Sequence, residues 1–192
     1  MKTIRYTTIY RIMHWAIALT FILLLITIFL RLTWLNKFHM AEIIQNFLST
    51  TDQTLNQDQL ITLAKQIRKP MWDWHIYLGY VLTGLFGLRF ILPLFGKMKF
   101  QNPLKKGITL KEKFQKWIYL IFYACVVISL VTGLIIVLGP ADFKKPMEEI
   151  HVLGIYYLIA FIGIHLLGVL ISEFTTNKGI ISWIISGENK ED

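Results

Sequence analysis

Four histidines of this 192-residue chain stand at or within long apolar runs: His14, His75, His151 and His165. An ionisable side chain is costly in hydrocarbon, so a histidine there needs a partner, either a hydrogen-bonded neighbour or a bound group. Neutral imidazole carries a nitrogen lone pair that ligates metals. His151 and His165 are fourteen residues apart. Fourteen helical steps of about 100° return to within about 40° of the starting direction, which predicts that both project from one face, about 21 Å apart along the axis. That separation sets one near the outer edge of a bilayer's hydrocarbon and the other toward its inner side.

His14, near the start of the first apolar run, and His75, at the start of the second, match those two depths if the first run enters from the inside. The chain then offers an inner pair, His14 with His165, and an outer pair, His75 with His151. Opposed histidines at one depth are axial ligands for a haem iron, and two such pairs predict two haem b groups. A closed structural zinc site needs four neighbouring donors, and the two pairs lie a membrane's width apart. Gly79, Gly154 and Gly168 fall three or four residues after a ligand, on its face, where a macrocycle needs slim helix surfaces.

The elements that must carry these residues are transmembrane helices. The chain is 55% hydrophobic and 17% charged, with a mean hydropathy of +0.53, too apolar for an ordinary soluble domain. Spans are predicted at about 12–35, 76–95, 117–138 and 150–171, flanked by Trp15, Trp34, Trp74, Trp117, Tyr119 and Trp183 as interfacial anchors. They account for one transmembrane haem-binding domain over residues 1–192, an all-α four-helix bundle. The N-terminal segment is longer than a signal core and lacks a small-residue cleavage site, so it is read as a retained helix. The lone cysteine, Cys125, lies in an apolar run and reads as a small buried residue; there is neither a disulfide framework nor a C-x-x-C-H haem attachment motif.

Net charge is +8, but the basic residues flank apolar runs, as the positive-inside rule requires, so no nucleic-acid partner is expected. The connection between the second and third spans carries Lys97, Lys99, Lys105, Lys106, Lys111, Lys113 and Lys116 against Glu112 alone, which sets it in the cytoplasm. Both termini then face the cytoplasm, in line with Lys2, Arg5 and Arg11. The long connection 36–71 is extracytoplasmic, with helical pieces at 41–48 and 57–67 that form an amphipathic element, a lid or a simple connector. The loop 139–149 faces outward. Arg89 is fourteen residues after His75; it either snorkels to the inner surface or neutralises a haem propionate. Arg11 and Arg5 are further inner candidates, and Arg68, Lys69, Lys144 and Lys145 are outer ones. His39 is assigned to solvent or the interface, while Asp73, Glu148 and Glu149 read as solvated charges that could also supply protons to a quinone.

These residues resemble the bacterial cytochrome b561 family of four-helix di-haem membrane cytochromes. The resemblance rests on Arg11-Ile-Met-His14-Trp15, His75 with Gly79, His151 and His165, and the closing stretch Glu173 to Gly187 with Lys178-Gly179-Ile180-Ile181-Ser182. It implies electron exchange between a membrane quinone and a partner protein or small redox substrate, making the chain an electron-transfer protein or quinone-linked oxidoreductase in the bacterial inner membrane. It gives the same ligand pairs. The long 36–71 loop departs from the pattern. Two other functions remain open from sequence: a membrane-anchoring cytochrome b subunit of a dehydrogenase or hydrogenase, and a haem-free transporter or structural bundle. The latter is disfavoured because Asp73, Glu148, Glu149 and Glu173 all sit at span ends. Oligomeric state is open, a homodimer being one arrangement.

Overall fold

A computed structural model describes residues 6–100, 102–175 and 177–187. Lys2 and Arg5 lie outside the described residues. The described chain is helical: α1 (Thr8–Leu32), α2 (Lys37–Leu48), α3 (Gln57–Ile67), α4 (Lys69–Ile91), a 3-10 turn (Leu92–Phe95), α5 (Leu110–Leu138), α6 (Ala141–His151), α7 (Gly154–Phe174) and α8 (Ile180–Ile185). Four segments are long and apolar enough to cross a bilayer: Thr8–Leu32, Lys69–Phe95, Leu110–Leu138 and Ala141–Phe174.

Besides the first, which starts four residues early at Thr8, three of these begin well before their apolar runs. Lys69 donates to both oxygens of Asp73 at 2.7 and 2.8 Å, one turn apart, so the polar first turn of α4 is helical well before Ile76. At α5, Thr109 Oγ1 accepts from the Glu112 N–H and Glu112 accepts from the Thr109 N–H, a capping box that starts the helix at Leu110. The stretch 139–149, expected as a loop, is the third departure. After Gly139 and Pro140 the chain re-enters a helix, α6, and then breaks at Val152–Leu153 before α7. His151 is therefore the last residue of α6, and the single-helix reckoning that set it on one face with His165 does not carry across the break.

The chain divides into two compact units, one of residues 17–84 and one of the remainder. In the first, α2 and α3 pack through Ala41, Leu60 and Ala64, with Met40, Ile44, Leu48 and Ile61 around them. Asn56 and Gln59 cap α3 reciprocally. The expected pieces 41–48 and 57–67 are thus helices, the first one turn longer. His39 is exposed on α2. Leu19, Ile22, Ile26 and Phe29 of α1 form an exposed apolar stripe at helical spacing, as lipid contact requires.

In the second unit, α5 buries Phe122, Val126 and Thr132. Phe122 stacks on Phe161 of α7, with ring centroids 3.6 Å apart and planes 10° apart. α5 ends at Gly139, whose backbone turns extended (φ −82, ψ 172) and where a Cβ would lie 2.6 Å from the Ile135 carbonyl oxygen. The carboxylate of Glu173 accepts the N–H groups of Gly179 at 2.8 Å and Ile181 at 3.1 Å, which folds α8 back after α7. Trp15 Nε1 donates to the Ile184 carbonyl at 3.1 Å, joining α1 to α8. Cys125 is a half-buried free thiol.

Candidate haem-ligand sites

The imidazoles of His14 and His165 face one another with ring centroids 6.1 Å apart and planes tilted by 46°. Two iron–nitrogen bonds of about 2 Å each, with each ring centroid about 1 Å beyond its nitrogen, would separate the centroids by about 6 Å. The separation of the pair therefore matches that of two imidazoles on one haem iron. Two histidines fall short of a closed zinc shell, and among the described residues no three His, Cys, Asp or Glu side chains group as a metal ion would need. A haem adds its own four nitrogens and so needs only the two.

Aromatic faces hold this pair. Tyr10 lies parallel to His14 at 6.5 Å, and Phe161 lies parallel to His165 at 5.7 Å. Tyr119 Oη is 3.4 Å from His165 Nδ1. Arg11, one turn before His14, has Nε and Nη1 buried, with no hydrogen-bond partner for either among the described residues. A buried guanidinium left so calls for an anion. Its guanidinium also packs on Gly187, where an added Cβ would collide with it.

His151 is held differently. Its Nδ1 lies 3.0 Å from the Ser129 carbonyl oxygen and 3.1 Å from Thr132 Oγ1, both on α5. Gly133 lies under the ring, since a Cβ there would come within 3.1 Å of His151 Cε1. Sequence reasoning chose Gly79, Gly154 and Gly168 and missed Gly133, which is close to its histidine in space but not in sequence. A Cβ at Gly79 or Gly168 would meet nothing within 4 Å, and one at Gly154 would meet Ser129 Oγ at 3.0 Å. The α5 residues that meet the two histidines, Tyr119 and Thr132, are thirteen apart, about 20 Å along that helix.

In the other unit, His75 Nδ1 lies 2.8 Å from Thr27 Oγ1 on α1, and Trp72 packs edge-on to the ring at 5.4 Å. The guanidinium of Arg31 lies over Trp72 at 5.1 Å. Arg68 Nε is buried with no partner among the described residues, and burial together with the Arg31 cation lowers the pKa of its guanidinium. Lys69, by contrast, is paired with Asp73.

Arg89 is buried, with Nε donating to Tyr123 Oη at 3.1 Å and Nη1 to the Met98 carbonyl at 2.7 Å. The Phe100 ring covers it at 4.3 Å. Both of these donors are thus engaged by protein partners. Met98 adopts φ 46, and its carbonyl is the one Arg89 holds.

The fold is thus a set of apolar helices long enough to span a membrane, with imidazoles disposed to take a haem. A comparison with protein-family models matches prokaryotic cytochrome b561 over residues 5–187, and the chain belongs to that family. It is a multi-pass membrane cytochrome of the b type, with haem b as its cofactor and electron transfer as its role. Neither the comparison with curated proteins nor that with solved structures gave a match.

Proposed function

We propose that the chain is a di-haem cytochrome of the bacterial inner membrane that passes electrons between a membrane quinone and a partner protein or small redox substrate. The observation that carries this reading is the opposed pair His14 and His165 at 6.1 Å. His75 and His151 are proposed as ligands of the second haem, each lying near the end of its span opposite to the end that carries the first pair. The spacing of about 20 Å along α5 between the residues that meet His165 and His151 supports two levels. Each bound haem would supply a one-electron couple.

The protein's own residues do the rest. The imidazoles of each pair would hold the haem iron through two nitrogen donors. Arg11 would bind a propionate of the haem on His14 and His165, since its two buried nitrogens have no other acceptor among the described residues. Arg68 would do the same for the haem on His75 and His151. Arg89 would act on the inner haem as a fixed positive charge and as the tie that holds the 96–100 segment against α5. The apolar helix faces exclude water, which keeps the sites at low dielectric and makes each nearby charge count in the potential. The whole chain, 1–192, is read as one functional domain with both termini cytoplasmic.

The test is the haem-to-protein ratio and the reduced-minus-oxidised spectrum of the detergent-purified protein, followed by oxidation of the reduced haem on adding a water-soluble quinone analogue. Two low-spin b haems reoxidised by the quinone support the reading. An iron–sulfur protein that copurifies stoichiometrically would make the chain an anchor subunit, and protein that takes up no haem would overturn the proposal.

A further inference from the structure

Two buried threonines each place a hydroxyl oxygen against Nδ1 of a histidine. Thr27 Oγ1 donates its hydrogen to the Leu24 carbonyl at 2.6 Å. The 2.8 Å contact between the same oxygen and His75 Nδ1 therefore takes its hydrogen from the ring. Nδ1 is the protonated nitrogen, and the ring's lone pair lies on Nε2. Thr132 repeats the arrangement: its hydroxyl donates to the Ile128 carbonyl at 2.8 Å, with the Ser129 carbonyl also in range at 3.1 Å. His151 Nδ1 lies 3.1 Å from that hydroxyl and 3.0 Å from the Ser129 carbonyl, which has no hydrogen to give. His151 is thus fixed in the same tautomer.

Both threonines are almost fully covered, at 6% and 4% exposure, and each reaches a histidine on a different helix. A threonine that only back-bonds to its own helix needs no such neighbour. His165 differs: its Nδ1 is 3.4 Å from the Tyr119 phenol, which can give or receive the hydrogen, so no tautomer is imposed.

We propose that Thr27 and Thr132 are positioning residues for His75 and His151, fixing Nδ1–H so that Nε2 is the nitrogen presented to iron. This rests on the haem reading above. Accepting a hydrogen bond from Nδ1–H makes an imidazole a stronger donor through Nε2, which favours ferric over ferrous iron. A haem ligated by either histidine would therefore be held at a lower potential than the same ligand alone would give it.

The test uses the full-length haem-loaded protein in detergent, comparing wild type with Thr27→Val, Thr27→Ser and Thr132→Val. The readouts are potentiometric titration of both haems and the ferric low-spin electron paramagnetic resonance spectrum. Valine keeps the shape and removes the acceptor; serine keeps the acceptor. A hydrogen bond of ordinary strength predicts that Thr27→Val favours reduction of one haem by up to about tenfold, a rise of about 59 mV for one electron, with the other haem unmoved. Thr27→Ser restores the wild-type value. Thr132→Val moves a potential the same way but less, because the Ser129 carbonyl still accepts. If the two valine variants move different haems, the threonine roles stand and the pairing of His75 with His151 falls. Two haems with unchanged potentials and spectra in both valine variants would overturn the proposal while leaving the haem reading intact; a protein without haem would overturn both.

Discussion

His165 and His151 lie in the same compact unit and meet the same helix, α5, yet they are held by different means. His165 is packed between faces, with Phe161 parallel at 5.7 Å and the Tyr119 ring edge-on at 6.3 Å. His151 is held by hydrogen bonds and by a glycine: the Ser129 carbonyl, the Thr132 hydroxyl and the bare backbone of Gly133. Stacking fixes the plane of a ring but leaves its proton and small slides free. A hydrogen bond from a low-dielectric wall fixes direction and tautomer together. The His14 and His165 site can therefore adjust to its ligand, whereas the His151 site is set before any ligand arrives.

The sharpest way to break the contrast is at Gly133. Gly133→Val drives branched carbons into the His151 ring, with overpacking strain of about 1–3 kcal/mol, and should abolish the haem that His151 is proposed to ligate while sparing the other. The haem-to-protein ratio would fall by half. Loss of both haems would mean that the two sites are not independently held.

Phe161 tests the opposite side. Phe161→Leu keeps an apolar volume but removes the parallel stack on both His165 and Phe122, at a cost of about 1–3 kcal/mol in pairing and packing. The expected result is a lower thermal midpoint in detergent and a broadened low-spin signal for one haem, with that haem still bound. Arg11→Gln comes next. It removes the positive charge beside His14, so that haem becomes harder to reduce, by up to about tenfold in its equilibrium. A potentiometric titration would reveal it.

Smaller still is Glu173→Gln, which replaces a carboxylate accepting two backbone N–H groups with a neutral amide. Amide hydrogen exchange over residues 180–185 should accelerate, with both haems retained. At the bottom of the scale stands Asp73→Asn, which breaks an exposed pair with Lys69 worth less than about 0.5 kcal/mol and should leave the spectra and the thermal midpoint unchanged.

The four spans and the two helices of the 36–71 connection were legible because apolar length and 3.6-residue spacing are local properties of the chain. The facing of His14 and His165 followed from depth alone, which a helix converts directly from residue number. What was not legible depends on contacts between distant segments. Gly133 and Thr132 reach His151 from eighteen and nineteen residues away, and Thr27 reaches His75 from forty-eight, so nothing near either histidine in the sequence announces them. Arg89 was recognised as an unusual charge, but its partners Tyr123 and Met98 were not, because a loop carbonyl has no side-chain signature. The helix over 141–151 was hidden by its charge and by Pro146, both of which read as loop.

The central claim is that four histidines hold two haems. It is tested most directly by the haem content and low-temperature reduced-minus-oxidised spectra of His14→Ala, His75→Ala and the double variant. The account predicts two b-type haems in the wild type, one remaining in each single variant with a different spectrum in each, and none in the double. Single variants that lose the same haem, or that each retain two, would contradict it.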